Sequence, residues 1–345
     1  MDVMTYDEVL EYLQKKKRQT HLLLGNGFSM AYDADIFSYN ALHGFIEKLD
    51  NELLTKLFEI IKTKNFELVM QQLENFSDLI DVFGTDQELK GKVEEANVLL
   101  KHSLMKAIKE LHPEYVFEIP EEKSVACATY LSHYFQNGGQ IFTTNYDILL
   151  YWVLMRNAIE HHVDGFGREL ENPDVFVPAD EMEFSELRWG KYKENQNVHY
   201  LHGALAFFDT GIDIVKEEYD NGNYLLENIE GRINNQEYPI FVTSGDGDDK
   251  LRHIMHNKYL SFCYEQLSNI QGSLVTFGFN FGPYDHHIIE AINAAAKYGR
   301  KAGDKLHSVY IGVYSDEAKN YIEASAGRFK CKVNMYDSKT ANVWG

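Results

Sequence analysis

The chain has 345 residues and a mass of 39.9 kDa, which suits one large domain or two modest ones with an ample core. Its 44% apolar and 13% aromatic content is too high for a disordered chain. With 33 basic and 53 acidic residues the formal charge is −20, which argues against direct binding to nucleic-acid phosphates or to an anionic membrane. The longest strictly apolar run, Ile148 to Met155, falls far short of the roughly 20 residues a spanning helix needs. The early basic run Lys15-Lys16-Lys17-Arg18 meets only a short apolar stretch and does not read as a signal peptide. Cys127, Cys263 and Cys331 form no C-x-x-C, so a reducing, cytoplasmic setting without disulfides is expected.

In chain order, Thr5 with Glu8 makes a capping box for a helix over about 5–18, with Val9, Leu10 and Leu13 on its apolar face. His21 to Leu24 reads as a buried strand running into the glycine turn Gly25-Asn26-Gly27-Phe28-Ser29. From about 40 to 112 the apolar spacing is helical, marked by Leu53, Leu54, Leu57, Phe58, Ile61, Phe66, Val69, Met70, Leu73, Val98, Leu99, Met105 and Ile108. Another helix covers 122–136 and stops at Asn137-Gly138-Gly139. Ile141 to Thr143 is a strand, followed by Asn145-Tyr146-Asp147 and an apolar helix through Met155. Residues 160–196 read as polar surface loops. Val198 to Phe208 alternates like a strand and turns at Asp209-Thr210-Gly211 into Ile212 to Val215, a plausible hairpin. A short strand over Pro239 to Thr243 and a helix over 249–269 follow. The rest alternates: strand Ser273–Gly278, helix Tyr284–Lys297, strand Ser308–Val313, helix Asp316–Ala326 and strand Lys332–Tyr336. This order predicts an α/β fold, a Rossmann-like, mostly parallel sheet with helices on both faces. The expected domains are 1–37 with 113–345, interrupted by a helical insertion over 38–112.

In such a sheet ligands bind beyond the carboxyl ends of the strands. Four strand ends carry small, polar or glycine residues: Gly25 to Ser29, Thr144 to Asp147, His202-Gly203, and Gly278-Phe279-Asn280-Phe281-Gly282-Pro283-Tyr284-Asp285. The G-x-G reads either as a tight turn or as backbone approaching a pyrophosphate at a helix start. Met30 stands where the dinucleotide fingerprint has its third glycine, so an ordinary Rossmann dehydrogenase is a poor match. Asn145 and Asp147 read as helix caps or as site residues, and His202 as a core histidine or as one beside space left by Gly203. His199 and His202 would face opposite sides of a strand, and His286 and His287 diverge on a helix, so neither pair suggests a metal. His161-His162 with Asp164 leaves a metal-dependent hydrolase open. No G-x-S-x-G elbow is present.

The four strand ends, in this order, resemble the sirtuin-like superfamily, in particular its zinc-free bacterial branch of NAD-consuming proteins. Gly25 to Ser29 resembles G-A-G-x-S, Thr144 to Asp147 the T-Q-N-x-D block, His202-Gly203 the catalytic H-G, and Gly278 to Asp285 the G-[YF]-S-[FL]-x-D element. The opening also resembles uncharacterised bacterial G-N-G-F-S families and abortive-infection relatives. Only Cys263 lies where deacetylase sirtuins carry a four-cysteine zinc ribbon, so neither deacetylation nor a bound metal is expected. The resemblance implies an NAD glycohydrolase that releases nicotinamide and ADP-ribose, serving bacterial antiphage defence. It implies a pyrophosphate cradle from Gly25, Asn26, Gly27 and Ser29, with Phe28, Thr144, Gly203, Gly278, Phe279, Asn280 and Asp285 completing the NAD site. Asn145 would orient the ribose and water, Asp147 would bind nicotinamide or ribose hydroxyls, and His202 would be the general base. A homo-oligomer, and a HerA-like ATPase or another defence partner, are family expectations. The alternative is a non-catalytic NAD or ADP-ribose sensor.

Overall fold

The computed structural model describes residues 2–37, 51–63, 66–84, 87–157, 159–170, 182–219, 224–235, 237–242, 246–297 and 305–345, with positions 44, 48 and 178. Parts of the sequence expectations therefore lie outside the described residues: most of 38–50, 171–177 and Thr243.

The parallel sheet is built from β1 (Val3–Met4), β2 (Thr20–Leu24), β3 (Ile141–Thr143), β6 (Val198–Tyr200), β10 (Gly272–Phe277), β11 (Leu306–Val313) and β12 (Lys332–Asp337), in spatial order β1-β12-β11-β10-β2-β3-β6. Every pairing in it is parallel. Strand β2 is buried at all five positions, as a central strand covered on both faces must be. Setting β1 aside, the strands follow the Rossmann order, with β2 central, β3 and β6 on one side, and β10, β11 and β12 on the other. The α/β, Rossmann-like expectation holds.

Helix α1 (Tyr6–Lys15) starts at the expected capping box: Glu8 N donates to Thr5 Oγ1 and Thr5 N to Glu8 Oε2. Helices α2 (Gly27–Tyr32) and α3 (Ala34–Phe37) follow the glycine turn. The stretch expected to be helical carries α4 (Glu52–Ile61), α5 (Phe66–Phe83) and α6 (Gln87–Leu111), with Leu54, Phe58, Val69, Met70 and Leu73 buried between them. Helix α7 (Glu121–Gln136) ends as predicted at Gly138, whose φ is +66°. The apolar helix after β3 is α8 (Leu149–Arg156).

Residues 160–196 do not form loops alone. They contribute β4 (Phe166–Gly167) and β5 (Leu187–Trp189) to an antiparallel sheet with β7 (Gly203–Asp209), β8 (Ile214–Lys216) and β9 (Pro239–Phe241), ordered β4-β5-β8-β7-β9. Short strands with polar neighbours lack the alternation that marks a longer one. The expected hairpin is present, with Phe208 opposite Val215 and Thr210 N donating to Asp213 O. Val198 to Phe208 is not one strand: it breaks at Leu201-His202, because Gly203 has φ +82° and turns the chain from the parallel sheet into the antiparallel one. Helix α9 (Leu225–Asn234) precedes β9 and was not anticipated.

The helix expected over 249–269 is two, α10 (Gly247–His256) and α11 (Lys258–Ser268). Asn257 is extended between them and its Oδ1 accepts from Tyr259 N and Leu260 N, a cap that starts a new helix. Helix α12 (His286–Ala295) and α13 (Asp316–Ser325) complete the layers.

Candidate functional site

The four motif-bearing strands β10, β2, β3 and β6 are consecutive neighbours in the sheet. Their carboxyl ends lie side by side, and the order in which the chain adds strands reverses between β2 and β10, the switch point where open α/β sheets bind ligands. The residues predicted as a site are therefore brought to one edge.

The glycines do something other than expected. A Cβ at Gly25 would stand 2.6 Å from Gly278 O, and one at Gly27 2.5 Å from Gly278 Cα. Gly278 itself has φ +68°, and its Cβ would stand 2.5 Å from Gly27 and Phe28 backbone atoms. These three glycines let the loops after β2 and β10 press backbone to backbone. Gly25 N donates to Phe277 O, Gly27 N to Gly278 O and Phe28 N to Gly25 O, at 2.8–3.0 Å. These amides are spent within the seam, which corrects the expectation that they cradle a pyrophosphate. Asn26 and Asn280, both exposed, are the polar residues that the two loops present. Gly203 is likewise filled: its Cβ would lie 1.9 Å from Ile240 O, so it serves the packing of β7 on β9 and leaves no space for a ligand.

Behind the seam three predicted residues form a buried chain. Asn145 Nδ2 donates to Ser29 Oγ at 2.8 Å, and Ser29 Oγ donates to Asp147 Oδ2 at 2.5 Å. Asp147 Oδ1 accepts from Leu149 N, the first amide of α8, so Asp147 helps to start that helix from the position before its N-cap Ile148. Burial pushes the Asp147 carboxyl above its ordinary range, and the Ser29 and Leu149 hydrogen bonds pull the other way. Asn145 Oδ1 is buried and has no partner among the described residues. Thr144 is tied back to Leu24 O through its N and Oγ1. Phe28 is core: its ring packs 5.0 Å from that of Trp344, whose Nε1 donates to Phe28 O.

His202 is also buried, and its Nε2 lies 2.8 Å from Nε2 of His287 on α12. Burial first, then His287 and Lys250, push His202 well below its ordinary value, and His287 falls to about 3. The general base expected at His202 is thus a buried ring held toward its neutral form, with its Nε2 already engaged by His287. Lys250, itself buried, reaches Asp285 at 3.8 Å, while Asp285 Oδ2 accepts from Gly282 N. Sequence reasoning missed Lys250, and it weighed His287 only as a metal ligand and not as a partner of His202. A histidine among Ile288, Ile289, Ala291 and Ile292 and a lysine inside an amphipathic helix were the available signals.

After β10, Phe279 and Phe281 are buried edge to face at 4.8 Å. Phe281 adopts φ +51°, left-handed for a bulky residue, and Tyr321 Oη holds its carbonyl at 3.0 Å. The metal alternative loses its carboxylate: Asp164 Oδ2 is paired at 2.5 Å with Lys216, and Asp164 Oδ1 accepts from Phe166 N. His286 and His287 do diverge, the first reaching Glu290 and the second His202. A separate cleft of about 530 Å³ opens where α6 passes Tyr238, and none of the strand-end motifs lines it.

A Rossmann-ordered parallel sheet with polar residues gathered at its switch point defines this protein as an α/β protein of the Rossmann-like class. Its chain belongs to the family described as Domain of unknown function (DUF4917), whose family model matches residues 22–344. A search of the curated proteins returned no match. Among the described residues no helix is long and apolar enough to cross a membrane.

Proposed function

We propose that this protein hydrolyses the nicotinamide–ribose bond of NAD to nicotinamide and ADP-ribose. The observation that carries this reading is the arrangement at the carboxyl edge, where four consecutive strands end in the glycine seam, Ser29–Asn145–Asp147 and His202. The bond breaks with its electron pair passing to the nicotinamide nitrogen, through an oxocarbenium-like transition state that asks for held ribose and water more than for a strong base. Asn145, fixed by Ser29, offers its unpartnered Oδ1 to a ribose hydroxyl or to the attacking water. The carboxylate of Asp147 is the anion of the site; it steadies developing positive charge and receives the proton that water loses. Asn26 and Asn280 would face the phosphates, in place of the occupied glycine amides. A role in antiphage defence extends this reading.

The burial of Asn145, Asp147 and His202 also suits the sensor alternative, in which the same site holds NAD or ADP-ribose without turnover. Incubation of the purified protein with NAD, with nicotinamide quantified by chromatography, separates the two. Asn145→Ala should lower nicotinamide release by about 10²-fold or more while the protein stays folded. NAD binding without release in the wild type would favour the sensor, and neither binding nor release would end the NAD reading.

A further inference from the structure

The contact between His202 and His287 sets where their protons sit. The two Nε2 atoms are 2.8 Å apart and the rings lie 26° from parallel. Such a contact holds one proton, since two would oppose N–H to N–H and none would oppose lone pairs. If His202 were the donor, His287 would carry its proton on Nδ1. That atom is buried and has no hydrogen-bond partner among the described residues. A buried N–H without an acceptor is rarer than an acceptor left without a donor. The favoured arrangement therefore has His287 donating.

We propose that His287 is a positioning residue: its Nε2–H donates to His202 Nε2 and fixes His202 as a neutral Nδ1–H tautomer, a hydrogen-bond donor toward the substrate rather than its base. The substrate role rests on the NAD reading; the tautomer does not. The surroundings keep the pair uncharged. Lys250 faces it from α10, and that helix starts against His287, since a Cβ at Gly247 would lie 3.2 Å from His287 N. Asp285 and His286 flank His287 in sequence, and Asp285 is drawn to Lys250. From α11, Tyr264 Oη donates to His287 O, and the Tyr146 ring lies 6.4 Å from that of His202. A proton on either ring would put a buried cation beside the Lys250 ammonium. The same ammonium opposes a metal ion between the two rings.

Long-range proton–nitrogen spectra of the nitrogen-15-labelled full chain, assigned with His202→Gln and His287→Gln, report each ring nitrogen directly. The expected result is a protonated Nδ1 and a bare Nε2 on His202, unchanged from pH 6 to 8. An Nε2–H tautomer, a titration of His202 near pH 6.5, or nitrogen shifts that move on addition of zinc would overturn the proposal. In turnover, His287→Gln keeps a donor and should stay within about threefold of wild type. His287→Phe should lose about tenfold to a hundredfold in kcat, with KM for NAD little changed. Wild-type turnover by folded His287→Phe would refute the positioning role. If the wild type neither binds NAD nor releases nicotinamide, the NAD reading fails, and the spectra still decide the tautomer.

Discussion

Two glycines with nearly the same positive φ test whether the loop seam is real. Gly138 has φ +66° and Gly278 φ +68°. An alanine at either position must adopt the left-handed region, at a cost of about 1–2 kcal/mol. At 138 the new Cβ meets only Gln19 Nε2, at 3.9 Å, so Gly138→Ala should cost little beyond that. At 278 it would meet Gly27 Cα, Gly27 C and Phe28 N, all at 2.5 Å, and these are backbone atoms that cannot swing away. Overpacking adds about 1–3 kcal/mol, so Gly278→Ala should cost about 2–5 kcal/mol in total. Urea unfolding followed by tryptophan fluorescence, run on both variants in parallel, measures the difference. Equal destabilisation would mean that the loops after β2 and β10 do not touch. The amides of Gly25 and Gly27 would then be free to meet a ligand after all.

Two further outcomes follow from buried ionisable groups. Because the Asp147 carboxyl is raised by burial, the folded protein holds its proton more tightly than the unfolded chain does, and ionisation at neutral pH costs stability. Asp147→Asn should therefore match or exceed the wild-type melting temperature at pH 7.5 while lowering nicotinamide release at least about tenfold; clear destabilisation would contradict a strained carboxylate. The buried histidines act in the opposite sense. His21 and His112 fall to about 4, His199 and His287 to about 3, and His202 well below its ordinary value. The unfolded chain binds protons first as pH drops below about 6.5, so each of these residues removes stability at up to about 1.4 kcal/mol per pH unit until its folded value is reached. A melting temperature that holds constant from pH 7 to 5 would refute this.

Most of the parallel sheet was legible because its strands are short apolar runs bounded by glycine or polar turns, and their order along the chain with intervening helices dictates a doubly wound sheet. The candidate site was legible as positions, since residues after such strands must emerge at one edge. What the residues do there was not, because it depends on pairings between distant segments. Gly27 and Gly278 meet only because β10 lies beside β2, and His202 meets His287 across 85 positions. The break at Gly203 was hidden because the strand-like pattern of Val198 to Leu201 resumes at Ala204 to Phe208. Asn257 was hidden for the opposite reason: a capping residue inside a long helical pattern looks like one more polar position. Strands β4 and β5 offered too few residues for alternation to register.

Helix α2, which carries Ser29, is held from two sides, and that bears on how Asp147 can be kept in an unfavourable state. On one side Gly278 abuts Gly27. On the other, Trp344 bonds Phe28 O at 2.8 Å and lies 5.1 Å from the Tyr32 ring, while Lys123 Nζ donates to Tyr32 O. Helix α2 has six residues, too few to hold itself in place by its own hydrogen bonds. Its position is therefore set by these tertiary contacts, and with it the Ser29 hydroxyl that joins Asn145 to Asp147. A carboxylate that burial disfavours stays in place only if its surroundings cannot relax around it. Here its hydrogen-bond donors are a serine on a short, doubly clamped helix and the amide that opens α8. Such fixed dipoles need no reorganisation when charge develops on a ligand, which is the condition for electrostatic stabilisation of a transition state. On the NAD reading, the glycine seam and Trp344 would serve the candidate site through the rigidity they impose on Ser29 and Asp147.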